Sequence, residues 1–313
     1  MRTAFKQAIA WGCLALCAAA QAQAPAQPTP QEQAWALAAE TEVRANLVYT
    51  VASSQELKLD LYLPVQRHSK PVPLLVHFHG GGWIAGAKEG SVLQLMPYLA
   101  QGYAVASVQY RLAKVAPAPA AVEDVRCALR YLSQRTAELK IDPQRIVVSG
   151  GSAGGHLALM AGMLPAGNRF DRGCATPEGD RWVNGKEPPL KVAAIINWFG
   201  ITDVADLLAG PNAKHYAIEW FGAMPDEQRA TLARELSPLS LVRRDGPPVL
   251  TIHGDADPLV PFSHAQQLHE ALNRAGVANQ LLRMPGGGHG GFGREGQLRA
   301  GAAIQAFLRA QGL

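Results

Sequence analysis

Ser152 stands in Gly150-Gly151-Ser152-Ala153-Gly154, a Gly-x-Ser-x-Gly pentapeptide followed directly by Gly155-His156. A serine in this setting can act as a nucleophile in acyl transfer, because the flanking glycines leave room for a strained turn that pushes the hydroxyl out of a sheet. Small residues are common in turns, so the pentapeptide alone is a weak signal, and its partners give it weight. Upstream lies His79-Gly80-Gly81-Gly82-Trp83, whose glycines free backbone N–H groups to face a developing oxyanion. Downstream come His253-Gly254-Asp255-Ala256-Asp257-Pro258-Leu259-Val260-Pro261 and then Gly286-Gly287-Gly288-His289-Gly290. A serine hydroxyl is a poor nucleophile until a base takes its proton, and the base needs a carboxylate to hold its tautomer. The order of glycine loop, serine, aspartate and histidine suits that chemistry.

On this reading Ser152 attacks, His289 takes its proton and returns it to a leaving alcohol, and Asp257 orients the imidazole. The amides of Ala153, Gly81 and Gly82 form the oxyanion hole, with Trp83 N–H a lesser candidate. Neither a metal nor an organic cofactor is required. Asp255 and Asp203 compete for the acid; His253, His264 and His156 compete for the base. His253 ends the strand before the acid and His156 lies on the helix after the nucleophile, where histidines usually pack or brace. His79 is expected to anchor the glycine loop through a hydrogen bond.

These residues need a sheet to present them. Leu74–His79 and Arg145–Ser149 are continuous apolar or β-branched runs, as expected for strands covered on both faces. Ala104–Val108, Val192–Trp198, the run from Val249 and Gln280–Met284 read as further strands, and Leu47–Val51 and Glu56–Leu63 as an antiparallel pair. Val92–Gln101, Ala120–Leu139, the stretch after Ser152, Ser263–Ala275 and Arg299–Gln311 read as helices. Trp35–Val43 reads as a short one, and Asp142-Pro143 as a break before the nucleophile strand. Pro165–Pro189 is irregular, and Thr202–Arg244 is a mixed insertion. Trp83, Trp198, Phe199 and Trp220 lie at or beyond carboxyl ends of strands, where open α/β sheets bind ligands, and are candidates for a substrate wall or for core packing.

The motifs around Ser152, His79 and His253 together resemble the α/β-hydrolase serine esterases of the hormone-sensitive-lipase-like superfamily, most of all the bifunctional deacetylase/feruloyl-esterase-like subgroup. The resemblance covers roughly residues 43 to 311. It implies an α/β-hydrolase fold, a mostly parallel twisted sheet of about eight strands flanked by helices, with small insertion or lid segments. It also favours Asp257 over Asp255, since the family acid stands just before Pro-Leu. Hormone-sensitive-lipase relatives usually carry Asp before the serine and a larger N-terminal cap. Gly151 stands in that place here, which favours the esterase subgroup over a lipase. Tyr110-Arg111 resembles a recurrent structural feature near the family's site. The implied activity is hydrolysis of short acyl or aryl esters, either small molecules or acetyl and feruloyl groups on polysaccharides. An arylformamidase shares the His-Gly-Gly-x-Trp loop, and a prolyl-oligopeptidase-type peptidase shares the triad but adds a propeller that this chain has no length for. A non-catalytic binding module on the same scaffold typically lacks one of the three residues; all are present here.

Arg2 and Lys6, the apolar stretch Ala8–Ala20 and Ala20-Gln21-Ala22 read as a secretory signal peptide, residues 1–22. Residues 23–42 form an Ala/Gln/Pro-rich lead-in, and 43–313 one catalytic domain. A secreted or periplasmic location follows. The net charge of +4 loses two positive charges with the signal, and no Lys/Arg cluster of the kind nucleic-acid binding needs remains. After signal removal no apolar run is long enough to demand a membrane span. Cys127 and Cys174 would be the two remaining cysteines, and an even pair in an oxidising compartment is expected to form a disulfide, the alternative being two separate thiols.

Overall fold

The apolar runs assemble into one eight-stranded sheet in the computed structural model, which describes residues 29–65, 70–174 and 190–313. The expected signal peptide and residues 175–189 of the irregular stretch lie outside the described residues. The strands are β1 (Thr41–Ala52), β2 (Gln55–Pro64), β3 (Val72–Phe78), β4 (Ala104–Val108), β5 (Ile141–Gly151), β6 (Ala194–Trp198), β7 (Val249–Gly254) and β8 (Asn279–Met284). Their order is β1-β2-β4-β3-β5-β6-β7-β8. The first two are antiparallel to each other, β2 runs antiparallel to β4, and the rest pair in parallel. Buried on both faces, Leu74, Leu75 and Val76 on β3 and Ile146, Val147 and Val148 on β5 explain the unbroken apolar runs.

The helices are α1 (Pro30–Ala39), α2 (Val92–Leu99), α3 (Ala120–Gln134), α4 (Thr136–Leu139), α5 (Ala153–Met163), α6 (His215–Phe221), α7 (Asp226–Glu235), α8 (Phe262–Ala275) and α9 (Gly293–Ala310). Leu95 and Tyr98 of α2 and Ile304 and Phe307 of α9 cover one face of the sheet, over Leu75, Val105, Val147 and Ile196. Val125 and Leu129 of α3, Leu157 of α5 and Leu268 of α8 cover the other, over Leu74, Val76 and Phe78. Among the described residues no helix is long and apolar enough to cross a membrane.

Three boundaries differ from the sequence reading. The first helix begins at Pro30 because Thr29 and Glu32 form a reciprocal capping box, and the chain from Thr41 pairs into β1 instead of staying helical. Asp142-Pro143 lies inside β5 rather than before it; the register slips there, between the Val72–Ile141 and Leu74–Ile146 pairs, and a slip accommodates a residue without an N–H. The last helix starts six residues earlier than Arg299, at Gly293.

Cys127 on α3 is bonded to Cys174, beyond α5, with a Cα–Cα distance of 5.1 Å. Beside it Arg126 grips Asp171 with Nε to Oδ1 at 2.6 Å and Nη2 to Oδ2 at 2.8 Å, both side chains buried. A covalent and an ionic tether thus hold the chain leaving the nucleophile helix.

Candidate active site

Ser152 sits between the end of β5 and the start of α5 with φ 57° and ψ −124°, a conformation L-residues seldom adopt. Its N–H donates to the Trp198 carbonyl at 2.9 Å, so the next strand holds the turn from the side. The turn is tight enough that a Cβ on Gly154 would lie 2.0 Å from the Phe78 carbonyl oxygen, which makes glycine obligatory there. The first N–H groups of α5, Ala153 among them, have no acceptor inside the helix and carry the positive end of its dipole.

The glycine loop closes over this turn. Gly81 has φ 119°, and a side chain there would meet the Ala85 carbonyl oxygen at 2.1 Å. Among the described residues, Gly81 and Gly82 N–H meet no backbone acceptor. His79 anchors the loop: its Nδ1 donates to the Gly80 carbonyl at 2.8 Å and its ring stacks on Tyr110 with centroids 4.3 Å apart. Tyr110 Oη in turn donates to the His79 carbonyl at 2.9 Å. Burial lowers the His79 pKa, keeping the ring neutral. Arg111, the next residue, holds Asp124 by Nε to Oδ2 at 2.9 Å and Nη2 to Oδ1 at 2.7 Å.

The Asp257 side chain is fully buried, and His289 Nδ1–H donates to its Oδ2 at 2.7 Å. Oδ1 accepts the amides of Leu259 at 2.8 Å and Val260 at 3.0 Å. His253 Nε2 also lies 3.3 Å from Oδ2, while 3.0 Å from the Val260 carbonyl. Burial alone would push the carboxyl up; the hydrogen bonds from His253, His289 and the Val260 amide outweigh it and hold the pKa well below the usual carboxylate range. The acid is therefore a permanent anion at neutral pH.

The rivals have other partners. Asp255 pairs with Arg283 Nε at 2.6 Å and accepts the Gly286 amide at 2.6 Å. Asp203 accepts the Ala205 amide at 3.0 Å. His156 faces the Leu236 carbonyl from Nε2 at 2.7 Å and is fully buried, which lowers its pKa to about 4. His264 lies against Asp206 at 3.1 Å, away from Asp257.

The four candidate aromatics divide. Phe199 and Trp198 border an open groove together with Gly151 and His289. Phe199, at φ 40°, packs its ring 4.6 Å from that of His289, and its Cε2 lies 3.4 Å from where a Cβ on Gly151 would stand. Trp83 and Trp220 instead stack on each other with centroids 4.0 Å apart and no exposure at all. They support the glycine loop from within, because the insertion folds α6 beneath it and removes both indoles from any ligand-facing surface.

Sequence reasoning did not find the second histidine on Asp257, nor Phe199 as the wedge between the serine turn and the histidine loop. A histidine ending the strand ahead of an acid loop is a signal for the former; nothing local marks the latter.

The BD-FAE family model matches residues 59–272. Ethyl acetate hydrolase from Pseudomonas putida is 30% identical over 270 residues, covering 80% of this chain and 76% of that protein. A truncated carbohydrate esterase from gut microbiota superposes with a TM-score of 0.70 at 29% identity, over 86% of this chain and 96% of that one. The propionate-bound esterase Est2 of the Planctomycetes species Thermogutta terrifontis gives a TM-score of 0.70 at 28% identity, over 87% and 95%. The chain spans about half the length of three curated relatives from Mycobacterium tuberculosis that it matches, 56%, 45% and 47%.

Proposed function

The chain belongs to the BD-FAE family, among the α/β-hydrolase esterases of the hormone-sensitive-lipase-like group, and we propose that it hydrolyses carboxylic esters through Ser152, His289 and Asp257. The observation that carries this reading is the 2.7 Å bond from His289 Nδ1–H to a buried, ionised Asp257. With Nδ1 holding the proton, Nε2 is the free basic nitrogen. It takes the Ser152 proton as Oγ attacks the ester carbonyl. The tetrahedral oxyanion is met by the amides of Gly81, Gly82 and Ala153. The intermediate collapses, His289 protonates the departing alcohol, and an acyl-Ser152 remains. Water, deprotonated by the same imidazole, releases the acid.

The acyl group is short, acetyl to butyryl. The Pseudomonas relative's name and the propionate in the Thermogutta structure support that range. The family and the carbohydrate esterase neighbour support acetyl or feruloyl esters on polysaccharides as the natural class. Action outside the cytoplasm, after removal of residues 1–22, is supported by the Cys127–Cys174 bond, since such bonds persist in oxidising compartments.

The test is covalent trapping. A fluorophosphonate is expected to label folded protein at Ser152, and Ser152→Ala to abolish both label and turnover of p-nitrophenyl acetate. Absence of label on folded protein refutes the mechanism. A rate profile from acetate to palmitate, with methyl ferulate and acetylated xylan alongside, tests the substrate class.

A further inference from the structure

The face of the sheet between α2 and α9 is not fully closed. A groove of about 910 Å³ opens there, within the range of small-ligand sites, and Gly151 and His289 are part of its lining. Its mouth is flanked by two large apolar side chains that no packing explains, Leu93, 84% exposed, and Leu298, 60% exposed. Its floor is polar where the rest of that face is apolar: His77 on β3 and Ser149, its neighbour in register on β5. His77 is 5% exposed, and its Nδ1 has no hydrogen-bond partner among the described residues. A buried polar atom left unpaired is costly, and its presence at the bottom of an open groove calls for a partner that arrives from outside.

We propose that this groove receives the leaving-alcohol arm of the ester, and that His77 at its floor selects alcohols carrying a hydroxyl at their far end. The assignment rests on the esterase reading above. The side follows from the chemistry: the group that protonates the leaving oxygen must face it, so the alcohol departs on the side of His289, which lines the groove. The class follows from His77. Burial, reinforced by His79, pushes its pKa down to about 3, so the ring is neutral and has one donor and one acceptor nitrogen. A hydroxyl both donates and accepts, and so satisfies His77 in either tautomer. A methyl group at the same depth leaves Nδ1 unpaired.

Acetates of different alcohols isolate the groove, because they share one acetyl-enzyme and kcat/KM then reports acylation alone. Linear alkyl acetates from methyl to octyl are compared with monoacetates of the matching α,ω-diols. In wild type, one chain length is expected at which the hydroxyl-ended ester is used at least as well as its methyl-ended counterpart. His77→Leu is expected to lower that hydroxyl-to-methyl ratio about tenfold, the scale of one hydrogen bond plus one polar group left unpaired. Leu298→Trp, a surface change at the mouth, is expected to lower the hexyl-to-methyl acetate ratio about tenfold. If His77→Leu does not fold, the Leu298→Trp ratio still decides whether the arm lies in the groove. A hydroxyl-to-methyl ratio equal in wild type and His77→Leu at every length overturns the selection, and an unchanged hexyl-to-methyl ratio in Leu298→Trp overturns the groove. Failure of the esterase reading has a different signature: no acetate is turned over, methyl acetate included, and no fluorophosphonate label forms.

Discussion

Replacing Asp257 by asparagine changes one oxygen into an NH₂ and leaves the shape of the site intact. The amide can sit in two ways. In one, its oxygen stays on the Leu259 and Val260 amides and its NH₂ turns to His289 Nδ1 and His253 Nε2. In the other, the NH₂ confronts the two backbone N–H groups, which lose their acceptor at about 1–3 kcal/mol each. Two orphaned amides outweigh one imidazole tautomer, so the first orientation wins. His289 must then accept at Nδ1 and carry its proton on Nε2, where it can no longer take the Ser152 proton. The corresponding change in serine proteases costs about 10⁴ in kcat, equivalent to about 5 kcal/mol of barrier. The assay is p-nitrophenyl acetate turnover together with fluorophosphonate labelling, both expected to slow by about that factor while circular dichroism stays unchanged. Asp255→Asn, which touches Arg283 and Gly286 instead, is expected to lose far less. If Asp257→Asn retains more than about a tenth of the rate, or Asp255→Asn is the more damaging, the argument from donor geometry fails.

Three further outcomes follow from the same geometry. The folded pKa of Asp257 is depressed, so the stability it contributes is present above its unfolded value of about 3.9 and lost as pH falls through the lower folded value; the gap in unfolding free energy between wild type and Asp257→Asn, from urea melts, is expected to be flat from pH 8 to 5 and to shrink below about pH 4. Opening the Cys127–Cys174 bond frees a loop with a sequence separation of 47, for which chain entropy gives about 4 kcal/mol; Cys127→Ala/Cys174→Ala is expected to lose most of that in urea while keeping kcat, and a loss under 1 kcal/mol contradicts the tether. Gly154→Ala drives a methyl to 2.0 Å from the Phe78 carbonyl oxygen; a cost of about 3 kcal/mol or more is expected, read as a lowered Tm or loss of soluble protein, and a wild-type Tm contradicts the packing.

The sequence made the sheet and its loops legible because each signal is local. A β-branched run into Gly-x-Ser-x-Gly specifies strand, turn and helix without reference to the rest of the chain, and the mostly parallel eight-stranded sheet is as expected. What the sequence hid depends on distant parts meeting. Trp83 and Trp220 look like ligand-facing aromatics until α6 folds across them. Pro143 looks like a break until a register slip gives it a place in β5. Leu93 and Leu298, 205 positions apart by their numbers, share a groove mouth that neither helix announces on its own.

The two aspartates of Gly254-Asp255-Ala256-Asp257 divide the labour of joining the β7 and β8 loops. Asp257 takes the imidazole, Asp255 takes Arg283 and the Gly286 amide, and the Ala256 amide donates to the Gly287 carbonyl at 3.0 Å. The loops are therefore interlocked through side chain and backbone alike, and neither can be repositioned without the other. Anyone transplanting this proton relay to another scaffold must carry 254–260 and 283–291 together as one cassette. In a drifting lineage, too, insertions are better tolerated elsewhere around the cleft than in either of these two segments.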